Sequence, residues 1–394
     1  MMNLMTKFKV AFIFLVVVFS LSLEANPTFA RQYDMECSAC HSQVPALNDM
    51  GLSFLRNGLR TSTHDTTALK SFLDANSSKR HYPIGAIVGL SDNSRSDEVS
   101  QLVKLYLSGT ITDSLSLMAS TKEAFSNDKS GQNLFESGNS QFYFQYNISE
   151  AKHAFRVGLL SPWTQLGNVK RSMSHSGLHG GEGQGNNYFS PLDHANVKKI
   201  KGAEYSYLTD NNILFLVSYG ETVDSGNGSG NGNGSGNGIG NGNGSNADHI
   251  IRGNVIEDDN NAFLAAITYR TASNYKIGLI YNNTEIRGDT YYSLILPIEK
   301  EYSVFIWNSS LVYANDSNDD YIGIENAFTF PLGDMEHIKA IVNADRDEND
   351  DTNFAYSLGY TKIYKMFYFS AVAARVNAET YNSNKLMGSV NLIF

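Results

Sequence analysis

Phe142, Phe144, Tyr146 and Ile148 alternate with Tyr143, Gln145 and Asn147, so apolar and more polar side chains change places at every step. A period of two puts the first set on one face of an extended strand and the second on the other. The pattern returns at Phe263, Ala265, Ile267 and Tyr269. It returns again at Tyr275, Ile277, Leu279 and Tyr281, against Lys276, Gly278 and Asn282, and at Phe354, Tyr356, Leu358 and Tyr360. A chain built mainly of such segments folds as an all-β protein.

Sixteen candidate strands lie near 82–92, 99–112, 114–124, 140–149, 152–160, 200–208, 211–222, 261–271, 274–286, 289–298, 301–314, 320–331, 335–345, 353–363, 366–377 and 385–394. Leu296-Pro297-Ile298 leaves a bend open between the tenth and eleventh. Short links at Thr112-Asp113, Ser149-Glu150, Thr209-Asp210, Ala272-Ser273 and Tyr364-Lys365 alternate with polar ones at 93–98, 125–139, 161–199, 223–260, 315–319, 346–352 and 378–384. Short turns at one end and long external loops at the other are the habit of membrane barrels. The fold expected is an all-β membrane barrel of about sixteen antiparallel strands with both ends of the chain on the periplasmic side. Mean hydropathy is −0.27, which such a barrel tolerates because only alternate residues face lipid. The comb Val390, Leu392 and Phe394 at the chain end resembles the C-terminal signal of outer-membrane barrels. Segment 225–246, almost purely Gly, Asn and Ser, is expected to be an external loop without chemistry.

Residues 1–30 carry the marks of an export signal: Lys7 and Lys9, an apolar run from Val10 to Leu23, and a small-residue cleavage site at Thr28-Phe29-Ala30. The run is too short to span a bilayer as a helix, which needs about twenty residues. Losing Lys7, Lys9 and Glu24 moves the formal charge from −10 to −11. That balance argues against nucleic acid as a partner and suits cationic ones.

Both cysteines of the chain fall in Cys37-Ser38-Ala39-Cys40-His41. A C-x-x-C-H run in an exported chain reads as the attachment site of one covalent haem c, with Cys37 and Cys40 as thioethers and His41 as the proximal iron ligand. A zinc knuckle would need a fourth ligand, and a redox dithiol would not need the His. Residues 31–80 are too few for a core of their own unless a cofactor adds apolar volume. Val44, Leu47, Met50, Gly51, Phe54 and Leu55 recur at helical spacing, with Gly51 and Gly58 allowing close packing or a stop. The expected organisation is 1–30 signal peptide, 31–80 monohaem cytochrome segment and 81–394 barrel.

The string from Ala30 through Tyr33, Met35 and the C-x-x-C-H run, followed by Pro45-Ala46-Leu47, Gly51, Phe54 and Gly58, resembles the fused monohaem cytochrome–porins of iron-oxidising bacteria. The resemblance implies a small cytochrome segment at or inside the periplasmic end of a sixteen-stranded outer-membrane barrel. It also implies iron(II) oxidation: an electron taken from extracellular Fe(II), passed through the haem, and delivered to a periplasmic c-type cytochrome. Between His41 and the Pro-x-Leu element stands only Ser42-Gln43-Val44, shorter than in many members of that family, so the sixth iron ligand stays open. Met50 and His81 are the leading candidates, with Met35, His64 and a lumen His153 behind them. Acidic stretches at Glu257-Asp258-Asp259, Asp316 to Asp320 and Asp345 to Asp351 could draw Fe(II) to a pore mouth. His175, His179, Glu182 and His194 could bind a transition metal. Two other roles fit the same residues: an electron conduit serving another external redox partner, or a diffusion porin with a haem-bearing plug.

Overall fold

The computed structural model describes residues 28–33, 35–43, 46–61, 68–73, 83–93, 96–125, 141–148, 152–166, 169, 173, 190–223, 260–271, 273–286, 289–316, 319–346, 352–364, 367–377 and 382–393. Its bulk is one closed antiparallel barrel of sixteen strands. In chain order these are β3 (Ile84–Asn93), β4 (Ser96–Thr110), β5 (Leu115–Phe125), β6 (Gln141–Ile148), β7 (His153–Leu160), β8 (Ile200–Leu208), β9 (Ile213–Thr222) and β10 (Asn261–Arg270). They continue as β11 (Tyr275–Ile286), β12 (Asp289–Glu301), β13 (Ile306–Asp316), β14 (Asp319–Gly333), β15 (Glu336–Arg346), β16 (Thr352–Tyr364), β17 (Phe367–Asn377) and β18 (Asn382–Ile393). Each strand pairs with its neighbours in sequence, and β18 closes the ring on β3 with Val390 opposite Leu90 and Leu392 opposite Val88. Closure leaves no sheet edge with unpaired backbone groups, which a wall in lipid requires.

The strand pattern lands where the alternation puts it. Phe142, Phe144, Tyr146 and Ile148 point outward and are exposed, while Tyr143, Gln145 and Asn147 are buried inside. Around the barrel the outward set is apolar and aromatic, including Phe155, Val157, Phe215, Leu279, Leu294 and Leu358. Such a surface on a closed barrel is a lipid-facing belt. Leu296-Pro297-Ile298 is no bend, because β12 runs through Pro297 and the chain turns only after Glu301. The ladder to β11 skips that point, and a Cβ on Gly278 would press on the Pro297 ring. The proline is accommodated where its missing N–H falls opposite a glycine.

At one barrel end consecutive strands are separated by links of two to four residues, at 111–114, 149–152, 209–212, 271–274, 302–305, 334–335 and 365–366. Two of them share one chemistry. Thr209 Oγ1 accepts the Ile213 N–H and Thr271 Oγ1 accepts the Tyr275 N–H, each at 3.1 Å. Asn212 and Asn274 close these turns at φ 59°, a left-handed conformation that Asn tolerates better than most residues. The connections at 126–140, 161–199 and 223–260 leave from the other end.

The 161–199 connection departs from expectation: its described residues fold into the lumen. Trp163, Leu166, Met173, Leu192 and Ala195 form an apolar core with inward-facing side chains that include Leu216, Leu264, Ile280, Ile295 and Val312. Strands β9 to β13 therefore carry apolar residues on both faces along part of their length. The interior there is packed rather than wet. A short helix in this connection, Pro191–His194, is pinned to the wall. Glu325 accepts from the Ser190 hydroxyl and from the Leu192 N–H at 3.3 Å. The Ala195 carbonyl accepts from Asn282 at 3.0 Å and Ser293 at 2.9 Å. The segment 225–246 and Phe394 lie outside the described residues.

Candidate functional site

Among the described residues before the barrel are four short helices, α1 (Thr28–Tyr33), α2 (Cys37–Cys40), α3 (Asp49–Arg56) and α4 (Ala68–Leu73), with a small ladder of β1 (His41–Gln43) on β2 (Ala46–Leu47). Helix α2 is the C-x-x-C turn itself. Its single turn closes with the His41 N–H donating to the Cys37 carbonyl, which keeps both thiols on one short arc with the His directly after them. The two cysteines are not bonded to each other.

Asn48 ties this turn to the helix that follows. Its side-chain amide donates to the Ser38 carbonyl at 3.1 Å and the Ala39 carbonyl at 3.0 Å, and its backbone N–H donates to the Cys40 carbonyl at 3.0 Å. The same side chain accepts the Gly51 N–H at 2.9 Å, so Asn48 is also the N-cap of α3. Gly51 sits so close that a Cβ there would collide with the Cys40 carbonyl oxygen. At the far end, Gly58 at φ 73° lets Leu59 N–H reach the Phe54 carbonyl at 2.9 Å, a helix stop that needs a left-handed residue. Phe54 is buried against Phe29 and Tyr33, with ring centroids 4.9 and 5.6 Å away. The expected cleavage after Ala30 would remove the first of these rings and keep the second.

Helix α3 is a strut at the short-turn end of the barrel. Asp49 on its first turn is ion-paired with Arg270 and lies 3.7 Å from Lys276, on β10 and β11. Its last carbonyls, which no helical N–H reaches, are taken by side chains of β6. Gln145 donates to the Arg56 carbonyl at 2.8 Å and to the Leu55 carbonyl at 3.3 Å, and Asn147 donates to the Arg56 carbonyl at 2.5 Å. Lys70 on α4 pairs with Asp113 in the 111–114 turn at 2.6 Å.

On its lumen side α3 contributes Asp49, Leu52, Ser53 and Arg56 to an internal chamber of about 170 Å³. The chamber is completed by Gln165, Leu166, Val169 and Met173 of the inward connection and by residues of β9 to β13. Burial pushes the Arg56 guanidinium down to about 10, with Asp49 opposing, so it stays charged near neutrality. Burial also pushes both thiols up. A backbone hydrogen bond opposes this at Cys37, where the charges of Cys40 and Glu36 add a smaller push.

Two thiols on one turn, a His directly after them and Phe54, which shares the Gly51 face of α3 and packs on Tyr33, fit a covalently attached haem c. Met50 lies half-buried on the first turn of α3 beside Gly51, and Met35 is half-buried just ahead of the C-x-x-C turn. His64 and His81 lie outside the described residues. His153 is not a lumen residue. It shares the outward face with Phe155 and Val157, hydrogen-bonds the Tyr205 hydroxyl at 2.7 Å and stacks on Tyr207 at 4.6 Å. One residue of alternation decides that side.

Among the described residues no group of three or more His, Cys, Asp or Glu side chains is placed to hold a metal ion. His194 is inside the barrel, 3.2 Å from Asp345 and stacked on Tyr321 at 4.2 Å. His175, His179, Glu182, Glu257 to Asp259 and 347–351 lie outside the described residues. Asp320 accepts from Tyr313 at 3.1 Å and Asn315 at 2.6 Å. The residues that sequence reasoning missed are Asn48, Gln145, Asn147 and Gln165. The Asn48–Gly51 spacing carries a cap signal; the alternation puts Gln145 and Asn147 on the polar face but says nothing of α3, and Gln165 has no signal.

A closed sixteen-stranded antiparallel barrel with a lipid-facing belt is the fold of the outer-membrane porins. Among solved structures, the chain is similar to the anion-selective porin from Comamonas acidovorans at 11% identity and TM-score 0.52, covering 79% of this chain and 98% of that one. It is similar to a porin refined at 1.8 Å at 14% identity and TM-score 0.50, covering 79% and 99%. A loop-deletion form of OmpT from Vibrio cholerae follows at 12% identity and TM-score 0.50, covering 79% and 98%. No family model matches the sequence, and no curated protein matches it.

Proposed function

We propose that this chain is an outer-membrane cytochrome–porin that takes electrons from extracellular Fe(II) through one covalent haem c and passes them to a periplasmic c-type cytochrome. The observation that carries the reading is the C-x-x-C-H turn held by Asn48 against a helix that is itself braced inside the short-turn end of the barrel. Cys37 and Cys40 would hold the haem as thioethers and His41 would bind its iron, with Met50 and His81 the candidates for the sixth position. The haem would supply a one-electron couple, each Fe(II) losing one electron to become Fe(III). The chain's own work is to anchor, insulate and orient. Outer-sphere transfer asks for no general acid, base or nucleophile.

The test is anaerobic stopped-flow mixing of the detergent-purified, oxidised protein with Fe(II) near neutral pH. Growth of reduced-haem absorption bands within about seconds, with one electron per Fe(II), is expected; bands that dithionite raises and Fe(II) does not would overturn iron as the donor. The porin fold supports a second reading, a diffusion channel whose N-terminal segment is a plug. It predicts steady solute conductance in planar bilayers and no fast reaction with Fe(II).

A further inference from the structure

The chamber between α3 and the inward connection has a composition that the electron-transfer reading does not use. Three of its side chains are basic, Arg56, Arg270 and Lys276, and two are acidic, Asp49 and Glu299. The acids are already engaged: Asp49 with Arg270, and Glu299 with Lys276 at 2.5 Å. Arg56 carries the unbalanced charge, and its Nε has no hydrogen-bond partner.

A second set of groups points the same way. Gln165 is fully buried, and neither its amide nitrogen nor its amide oxygen has a partner. Asn308 Nδ2 and Ser310 Oγ, buried on the chamber wall at 4% and 0% exposure, are likewise unpartnered. A buried polar group left without a bond is destabilising, so four such atoms around one space mark a place that something polar fills. The rest of the lining, including Leu52, Leu166, Met173 and Ile298, is apolar. Apolar walls with a few convergent polar groups and one excess cation are the make-up of a site for a small organic anion.

We infer that this chamber binds a small carboxylate with an apolar body, its carboxylate held by Arg56 and the Gln165, Asn308 and Ser310 donors. The site is distinct from the C-x-x-C turn. Asp49, Leu52, Ser53 and Arg56 recur at helical spacing on the chamber side of α3, whereas Gly51 faces the Cys40 carbonyl on the other side. A bare cation such as Fe(II) is repelled by the excess charge, so the chamber is no station for iron.

The test is calorimetric titration of the full-length holoprotein in detergent with sodium benzoate, and with benzamide as the neutral mimic of the same shape. Saturable benzoate binding is expected, with benzamide weaker by about tenfold or more, the loss of one charge-assisted contact. Arg56→Gln should weaken benzoate by about tenfold or more and bring it level with benzamide. Gln165→Leu touches no contact of α3 with the wall and should weaken both ligands while haem content and barrel fold stay unchanged. Equal affinity for benzoate and benzamide, no saturable heat with benzoate at all, or unchanged benzoate affinity in both variants would overturn the inference.

Discussion

Asn48 spends one side chain on three hydrogen bonds, two to carbonyls of the C-x-x-C turn and one as the cap of α3. Asn48→Ala loses all three and should destabilise the N-terminal segment by about 2–3 kcal/mol, the sum of a cap and two ordinary bonds. Hydrogen exchange over 35–61 should rise while exchange in the strands stays the same. Asn48→Asp keeps the cap but faces a carboxylate toward two carbonyl oxygens, so it should protect α3 and still loosen the cysteine turn. Gly51→Ala should be worse than either, since its methyl meets the Cys40 carbonyl; the readout is covalent haem per protein on a denaturing gel. The thiols give a pH prediction. Burial raises both, so in unmatured chain alkylation by iodoacetamide should stay slow near pH 8, accelerate as pH climbs past the ordinary thiol range, and become fast once the segment is unfolded. Since the folded segment holds these protons more tightly than the unfolded one, its stability is full below the ordinary thiol value and falls as pH rises through the raised one.

The strands were legible because each needs only a period of two and a turn. The sixteen segments read from the alternation correspond one to one with β3 to β18; Thr209 sits in an expected link, whereas Thr271, read as the end of a strand, opens the link before Ala272-Ser273. What the alternation hid is the inward connection. Strand β9 reads as apolar on both faces, with Phe215 and Val217 outward and Leu214 and Leu216 inward. A period of two cannot say whether the inward set meets water or Trp163. The site divides the same way. Cys37, Cys40 and His41 are local in sequence and therefore readable, whereas Gln145 reaches Arg56 across most of a hundred positions and left no trace. Element-level contacts set a further prediction. Glu325 anchors the Pro191–His194 helix through Ser190 and Leu192, so Glu325→Ala should free that connection and raise single-channel conductance in planar bilayers. On the wall, Arg156 and Glu204 form a buried pair with Arg156 4.9 Å from the Tyr143 ring. Glu204→Ala leaves a buried cation alone and should cost about 3–5 kcal/mol, and replacing both by apolar residues should cost less; urea unfolding in detergent measures the difference.

At the scale of the whole molecule, the barrel is a wall with two occupants, α3 with its neighbours at the short-turn end and the inward connection deeper in the lumen. The wall was visible in composition, rich in Tyr and Phe and poor in Pro, but the occupants depend on contacts far apart in the chain. The closing pair of strands adds a constraint of time. β3 meets its second partner only when β18, the last strand of the chain, has arrived. The residues that seat α3 lie on β6, β10 and β11, all of which precede it. The strands that seat α3 are thus made before the strand whose pairing with β3 completes the wall. On the haem reading proposed above, attachment to Cys37 and Cys40 is expected to precede that closure, and pulse-labelling that follows haem-bearing chain and heat-modifiable barrel should find them in that order.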